Sequence, residues 1–298
     1  SGTTYTATFT PTEDGATSVL VAADAFTDAA GNANSVSNTF DWTYDGTGPT
    51  MAITSTAGTA DGGSSNVEAF ALTFTSSEAT SDFAVGDATA TGTGGADGCT
   101  LASFGASGGS TTVYVATCAP DNAGETVNVL VAAATYNDAA GNDNTVSNTF
   151  DWTYDGTGPT MVITSDTVAS GATTATAAIV LIYTSSETTT DFVIGDITET
   201  DCTTDSFTGS GTVYGSTCTV TADSTPTVLV AAGAFSDAYG NTNGAASNTY
   251  TWTQDDTGPT MTITSATVAS GASTATAAVA LVFTSNEATS NFDVDDIT

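Results

Sequence analysis

One eleven-residue segment recurs along this chain and constrains its architecture more than any other feature. The segment DWTYDGTGPTM occupies residues 41–51 and again residues 151–161, and the close variant TWTQDDTGPTM occupies residues 251–261. Its tryptophan recurs after 110 and then after 100 residues, at Trp42, Trp152 and Trp252. A period of this length is too long for a solenoid repeat and matches a small independent domain. The sequence therefore predicts a string of domains.

Other motifs keep a fixed order around each copy of this segment. A run such as FTDAAGNANSVSNTF precedes it, and a run such as ALTFTSSEATSDFAVGDAT follows it. If each domain begins near the Gly-Pro pair, residues 48–157 and 158–257 are two whole domains. Residues 1–47 then match only the later part of a domain, and residues 258–298 only the earlier part.

The two partial domains have two possible explanations. We expect them to reflect a window from a longer array. The alternative is that subunits complete each other's partial domains, as in strand complementation. That alternative would lack the stretch equivalent to residues 199–209, which counts against it.

Hydrophobic residues alternate with polar residues along most of each repeat. Residues 70–74, 127–131 and 150–154 all have this period of two, which is typical of half-buried strands, and no segment has a helical period. About seven short strands in about 100 residues indicate an immunoglobulin-like sandwich. We predict an all-β chain of tandem immunoglobulin-like β-sandwich domains, each with about seven antiparallel strands.

Charge excludes several classes of partner and chemistry. The 298 residues include 33 acidic side chains and no Lys, Arg or His, which gives a formal net charge of −33. We therefore expect neither nucleic-acid binding by phosphate neutralisation nor basic attachment to a membrane. The longest apolar runs have only the length of a strand, so we expect no direct membrane insertion of this segment either. Catalysis by His or Lys is impossible, and every candidate carboxylate recurs with the repeat, whereas a catalytic pair should occur once. We predict that the chain is not an enzyme.

The four cysteines occupy equivalent positions in the two whole domains. Each first cysteine lies five residues before a Phe, and each second cysteine lies four residues after a Tyr. We predict the disulfides Cys99–Cys118 and Cys202–Cys218, which bridge neighbouring strands and imply an oxidising compartment. Buried free thiols are the alternative, and a cysteine metal site is disfavoured because no Cys-x-x-Cys pair or His accompanies them.

Several of these motifs together resemble a known family. The runs FTDAAGNANSVSNTF, YDGTGPTM and TSSETTTDFVIGDIT resemble the bacterial Ig-like repeats that occur in tandem in very large surface proteins and adhesins. This resemblance implies an extracellular or cell-surface, rod-like array that holds something away from a cell or builds a filament. Further copies of the repeat, in cis or head-to-tail, would be its partners.

Acidic residues kept in every copy suggest a metal site near each domain junction. Carboxylates, Asn amides and backbone carbonyls are the ligands that calcium prefers, and the absence of His makes zinc and copper poor candidates. We predict calcium as the cofactor; the alternatives are that Asp and Asn only cap tight turns and that cations bind only weakly and diffusely. The candidate ligands are the linker aspartates Asp45, Asp155 and Asp255, the turn residues Asp28, Asn32, Asp138, Asn142, Asp237 and Asn241, the strand-end glutamates Glu78, Glu187 and Glu287, and the aspartates Asp87, Asp196 and Asp296 of the D-I-T segment or its variant.

Two further expectations concern the surface. The many Ser and Thr residues have two possible explanations. Either Thr is frequent because its β-propensity suits exposed strand positions, or these hydroxyls carry a coat of covalent O-linked glycans. An adhesin module that binds glycans or a partner surface is the alternative function, with the glycine-rich loops at 92–98 and 105–110 as its candidate binding loops.

Overall fold

The segments in which apolar and polar residues alternate form strands with one buried face. In the strand Phe70–Ser76, Phe70, Leu72 and Phe74 are buried, whereas Thr75 points outward. The computed structural model describes residues 2–55, 60–93 and 98–298. It divides the chain into two units, Ser1–Thr157 and Gly158–Thr298.

The described part of the first unit contains ten strands. They are β1 (Gly15–Val19), β2 (Phe40–Tyr44), β3 (Met51–Ser55), β4 (Gly63–Ser65), β5 (Phe70–Ser76), β6 (Ala88–Thr91), β7 (Cys99–Ala106), β8 (Val113–Pro120), β9 (Thr126–Val131) and β10 (Phe150–Tyr154). Two short 3-10 turns accompany them, at Val85–Asp87 and Ser107–Gly109.

The second unit also contains ten strands. They are β11 (Met161–Thr164), β12 (Thr173–Thr174), β13 (Ala178–Thr189), β14 (Ile197–Thr200), β15 (Thr203–Thr219), β16 (Thr227–Val230), β17 (Tyr250–Thr251), β18 (Thr253–Gln254), β19 (Met261–Thr264) and β20 (Val282–Ser285). Its 3-10 turns are Ile194–Asp196 and Val294–Asp296.

Within the first unit, residues 48–157 form a sandwich of two four-stranded sheets. One sheet has the order β3-β5-β8-β7, and the other has the order β4-β10-β9-β6, in which β4 pairs parallel to β10. The remaining pairs are antiparallel, with Phe74 opposite Tyr114 and Trp152 opposite Val127. Buried side chains from both sheets form one core. Strands β1 and β2 form a separate antiparallel pair.

The second unit repeats this plan. Its sheets have the orders β11-β13-β15 and β14-β16-β17, the short strands β12 and β18 pair in parallel, and β19 pairs with β20. Residues of both three-stranded sheets share a second core around Trp252, which is 1% exposed. The prediction of an all-β fold of immunoglobulin-like sandwiches is confirmed.

Both predicted disulfides are present. Cys99 on β7 bonds to Cys118 on the neighbouring strand β8, with their Cα atoms 5.6 Å apart. Cys202 bonds to Cys218 with a Cα separation of 5.8 Å. In this second case β15 is a single continuous strand, so Cys202 lies immediately before the strand that contains its partner. Both bonds close short loops, which restricts the unfolded chain.

The central tryptophan of the repeat should carry much of the domain's stability. Trp152 is fully buried, and its ring lies 4.4 Å from that of Phe70 on the opposite sheet, whereas the equivalent Trp42 is half-buried. We expect Trp152→Ala to lower the free energy of unfolding by about 3–5 kcal/mol, as for other buried aromatic truncations. Denaturant titration measures this loss. Trp42→Ala is the matched control, and an equal loss in both variants would contradict the burial argument.

Candidate metal centre

The repeated D-A-x-G-N turn is built around one aspartate. In the copy at residues 138–142, the Asp138 Oδ1 accepts hydrogen bonds from the backbone N–H groups of Ala140, Gly141 and Asn142 at 2.7–2.9 Å. The Asp138 Oδ2 accepts one from the Asn142 amide at 2.9 Å. Gly141 has a φ of 96°, a conformation that glycine adopts without strain. Asp138 therefore caps this turn through hydrogen bonds from side chain to backbone.

The same turn recurs in the other copies. Asp28 binds the backbone N–H groups of Ala30 and Asn32 at 2.9 and 2.8 Å, and Asp237 binds those of Tyr239 and Asn241 at 2.7 and 2.9 Å. The three copies differ in how far the aspartate is buried. Asp138 is 7% exposed and Asp237 is 4% exposed, whereas Asp28 lies on the surface.

The Gly-Pro linker docks directly against this turn. The Asn142 Nδ2 donates to the backbone oxygen of Asp45 at 3.1 Å, and the Thr145 N–H donates to that of Pro49 at 2.9 Å. A Cβ atom on Gly48 would lie 2.0 Å from the backbone oxygen of Asp143. Glycine is therefore required here because the two backbones approach too closely for a side chain.

The end of strand β5 joins the linker and the turn. The Thr50 N–H donates to the Ser77 Oγ at 2.9 Å, and the Ser77 N–H donates to the Thr50 backbone oxygen at 2.9 Å. On the other side, Thr80 forms an isolated antiparallel bridge with Asp138. Glu78 lies between these two connections.

Three predicted ligands converge as a result. One carboxylate oxygen from each of Asp45, Glu78 and Asp138 lies within 4.8 Å of the other two. Calcium–oxygen distances of about 2.3–2.6 Å allow a single ion to contact oxygens at such separations. The linker, the strand end and the turn each contribute one carboxylate to this group. We call this group the Asp45 cluster.

Electrostatics within the Asp45 cluster are unfavourable without a cation. Burial raises the pKa of Glu78, and the negative charges of Asp45, Asp138 and Asp14 raise it further. The hydrogen bond from the Asn142 side chain lowers the pKa of Asp138 and keeps that carboxylate ionised. The cluster therefore holds one stabilised carboxylate and one that resists ionisation beside it.

The second unit contains part of the same arrangement. Carboxylate oxygens of Glu187 and Asp237 lie within 4.8 Å of each other. The equivalent linker aspartate, Asp155, belongs to the end of the first unit, where its Oδ1 accepts from the Thr157 N–H at 3.1 Å.

Other predicted ligands lie outside the Asp45 cluster. Asp87, Asp196 and Asp296 each cap a 3-10 turn, accepting from the backbone N–H groups of Ala84, Val193 and Asp293 at 2.8–3.0 Å. Asp28 and Asn32 form their turn with each other. Asn142 and Asn241 donate their amides to Asp138 and Asp237. Asp255 accepts from the Thr257 N–H, and Glu287 accepts from the Asn286 amide.

The sequence analysis missed Asp14. Its carboxylate accepts hydrogen bonds from the Gly46 N–H at 2.8 Å and from the Thr47 hydroxyl, which lowers its pKa. In the second unit, Asp223 binds the Asp256 N–H and the Thr257 hydroxyl in the same way, at 2.8 and 2.6 Å. The first and third copies have an aspartate at this position, Asp14 and Asp223, but the middle copy has Gly124. An acidic residue is therefore not repeated at this position in all three copies.

The two glycine-rich loops of the alternative function, at 92–98 and 105–110, both belong to the first unit. Residues 94–97 of the first loop lie outside the described residues. The second loop connects β7 to β8, where the Ser110 Oγ accepts from the Thr112 and Val113 N–H groups at 3.1 and 3.0 Å. Its contacts are those of a hairpin turn.

Two stacked sheets with one shared core, repeated along one chain, define tandem immunoglobulin-like β-sandwich domains. The sequence profile of the bacterial Ig-like domain matches residues 1–44 and 45–154, which is more than half of the chain. The chain belongs to this bacterial Ig-like domain family. Such domains are non-enzymatic structural and adhesive modules, typically of surface-exposed proteins.

Two other comparisons add little to this assignment. Among solved structures, the D0-D1 domain of intimin is similar, with 13% sequence identity over 69% of this chain and 99% of that chain and a TM-score of 0.23. A TM-score this low does not establish a shared arrangement. No curated protein matches the chain. None of the helices in the described residues is long and apolar enough to cross a membrane.

Gly48 provides a test of linker docking. Gly48→Ala places a methyl group 2.0 Å from the Asp143 backbone oxygen, so either the linker or the turn must move. We expect a loss of roughly 1–3 kcal/mol in unfolding free energy, as for other overpacked sites. Gly258→Ala is the matched control, because it stands in the same Thr-Gly-Pro-Thr context with no atom within 4 Å of the new methyl group. Equal stability of the two variants would contradict the docking.

The raised pKa of Glu78 predicts an unusual pH dependence without metal. The folded state holds a proton on Glu78 more tightly than the unfolded state, for which the ordinary value is 4.5. Stability in a chelator should therefore fall as pH rises from 4.5 through the raised folded-state value. Glu78→Gln should remove this fall and raise the melting temperature at neutral pH. Glu68→Gln, at an exposed position of the same unit, is the control. A Glu78→Gln protein that melts lower than wild type in chelator would contradict the repulsion.

Proposed function

We propose that the chain is a structural segment of an extracellular bacterial surface protein in which calcium binds at the domain junctions and stiffens them. The observation that carries this proposal is the convergence of Asp45, Glu78 and Asp138 from three separate segments of the chain. In a chain without a basic side chain, the charge of such a group is reduced only by protonation, by ions of the solvent or by a bound cation.

The identity of the ion follows from the donor atoms. The Asp45 cluster offers carboxylate oxygens only, which suit calcium better than zinc or copper. Three ionised carboxylates exceed the two charges of the ion, and backbone oxygens and water would complete six to eight ligands.

Stiffening would come from the position of the ligands. Asp45 lies in the linker, Glu78 at the end of β5, and Asp138 in the turn against which the linker docks. One ion bound to all three would hold the linker on the domain that follows it. It would also replace the repulsion that raises the pKa of Glu78 with attraction.

Filament formation and surface attachment extend this proposal. A repeat that is joined to its neighbour by a metal-tied linker suits an array that holds another domain away from a cell. O-linked glycans on exposed Thr residues remain a prediction.

Calcium titration of the full chain tests the proposal. Isothermal calorimetry should detect binding, and calcium should raise the melting temperature relative to chelator because the ion binds only the folded cluster. Glu78→Gln should weaken binding by more than roughly tenfold, since even outer-shell partners of metal ligands contribute that much. Glu68→Gln is the control and should bind like wild type. Unchanged melting in calcium and chelator, or equal binding by both variants, would refute the calcium site.

A further inference from the structure

Asp-Gly pairs are points at which a protein backbone can rearrange without an enzyme. The backbone nitrogen of the glycine can attack the preceding carboxyl carbon, because glycine has no Cβ atom to hinder the approach. Whether a pair reacts depends on what holds its nitrogen and its carboxyl group. The pairs with both residues in the described part of the chain are Asp14-Gly15, Asp45-Gly46, Asp61-Gly62 and Asp155-Gly156.

In the first linker the reacting nitrogen is held by another residue. The Gly46 N–H donates to the Asp14 Oδ1 at 2.8 Å. This hydrogen bond must break before the nitrogen loses its proton and attacks, and the Asp14 carboxylate repels the negative charge that the nitrogen then carries. The same bond, together with one from the Thr47 hydroxyl, holds the carboxyl group of the Asp14-Gly15 pair. The fold therefore protects both pairs.

Two further sites are protected in other ways. The Gly62 N–H donates to the backbone oxygen of Asp151 at 2.7 Å. The chain has one Asn-Gly pair, Asn243-Gly244, which reacts by the same chemistry with loss of ammonia. The Asn243 side chain is fully buried, and its Oδ1 accepts from the Phe235 N–H at 3.1 Å. Its carbonyl carbon is therefore held away from the Gly244 nitrogen.

The Gly156 nitrogen in the second linker lacks such an acceptor. The residue at the position of Asp14 is Gly124, which has no side chain, and within the described residues nothing accepts a hydrogen bond from the Gly156 N–H. Gly156 is exposed to solvent. The Asp155 Oδ1 accepts from the Thr157 N–H at 3.1 Å, so this carboxyl group is turned towards the backbone that follows it.

The first and second linkers share their sequence and a close contact. Residues 36–51 and 146–161 are identical. In both linkers a Cβ atom on the glycine would collide with the hydroxyl of the tyrosine two residues earlier, Tyr44 or Tyr154, so glycine is required at this position. Any difference in reactivity between these linkers therefore arises from the fold around them.

We propose that Asp155-Gly156 is a site of spontaneous succinimide and isoaspartate formation in the folded chain. The Gly156 nitrogen forms a bond to the Asp155 Cγ, and the proton of the nitrogen leaves with the carboxyl OH as water. Water from the solvent then adds to either carbonyl of the five-membered imide. Addition at Cγ restores aspartate, whereas addition at the backbone carbonyl carbon gives isoaspartate. No cofactor, oxidant or reductant takes part.

Isoaspartate would change the geometry of the second linker. The main chain would then run through the Cβ and Cγ atoms, and the free carboxylate would be attached directly to Cα. The third linker has Asp256 in place of the glycine, and the Asp256 N–H donates to the Asp223 Oδ1 at 2.8 Å. Among the three linkers the modification is thus specific to the second. It does not depend on the proposed calcium site.

Ageing of the full chain in neutral buffer with a chelator tests the site. An isoaspartyl methyltransferase with a labelled methyl donor counts isoaspartate. Cleavage after glutamate separates the two linkers into the peptides 14–68 and 126–187, and electron-transfer fragmentation locates the isoaspartate. We expect it to accumulate at Asp155 roughly tenfold or more faster than at Asp45, since a hydrogen bond to a charged group adds that much to the barrier.

The chain unfolded in concentrated urea is the matched control. Its two linkers have identical neighbouring residues and none of the contacts of the fold. Asp45 and Asp155 should therefore form isoaspartate at equal rates in urea. The difference between the folded and the unfolded chain then measures the protection that the fold gives to Asp45.

Substitution of Asp14 tests the protecting hydrogen bond. Asp14→Ala removes the acceptor of the Gly46 N–H, so isoaspartate formation at Asp45 should rise to the rate at Asp155. Glu13→Gln is the matched control, because it removes an exposed neighbouring charge and keeps the Asp14 carboxylate. Asp45 should stay protected in this control.

Three results would overturn the proposal. Equal accumulation at Asp45 and Asp155 in the folded chain would mean that the bond to Asp14 gives no protection. Isoaspartate at both linkers in urea, but at neither in the folded chain, would mean that the fold protects Asp155 as well. An unreacted Asp45 in a folded Asp14→Ala chain would mean that another contact holds the first linker.

Discussion

The lack of any positively charged side chain is the constraint on which the rest of the structure depends. Each carboxylate must be stabilised by hydrogen-bond donors, by solvent or by a bound cation, because no Lys, Arg or His is present. Backbone N–H groups, Asn amides and Thr hydroxyls take this role at Asp138, Asp237 and Asp14. The bonds at Asp138 and Asp14 lower the pKa of those two carboxylates, and the bonds at all three residues fix the turns and linkers that contain them.

Glu78 is a carboxylate whose surroundings oppose its ionisation. It lies beside carboxylates that are already stabilised, and its own pKa is raised by burial and by their charge. A protein that contains Lys, Arg or His could place a cationic side chain beside Glu78. In this chain a proton or a dissolved cation must neutralise Glu78, so the stability of this junction should depend on pH and on ionic conditions.

Strand pairing is local within residues 1–47 and 258–298. The pairs β1–β2 and β19–β20 form from residues close to each other within their repeats, and their backbone bonds need no other half. Burial is different, because it needs a second sheet. In the whole domains, residues such as Phe235 and Ile163 are buried because two sheets enclose them.

Sequence by itself determined the repeat, the strands and their inward faces, both disulfides, and the residue types that could bind calcium. These properties are local or periodic, so that alternation and the spacing of equivalent cysteines are sufficient to predict them. Only the tertiary structure decided which acidic residues meet, since Asp45, Glu78 and Asp138 are far apart along the chain and Asp87 looked equally suitable. It also revealed Asp14, whose hydrogen bonds to Gly46 and Thr47 depend on the pairing of β1 with β2. A repeated motif identifies residues of the same type, whereas the tertiary fold determines which of those residues lie close enough for their charges to interact.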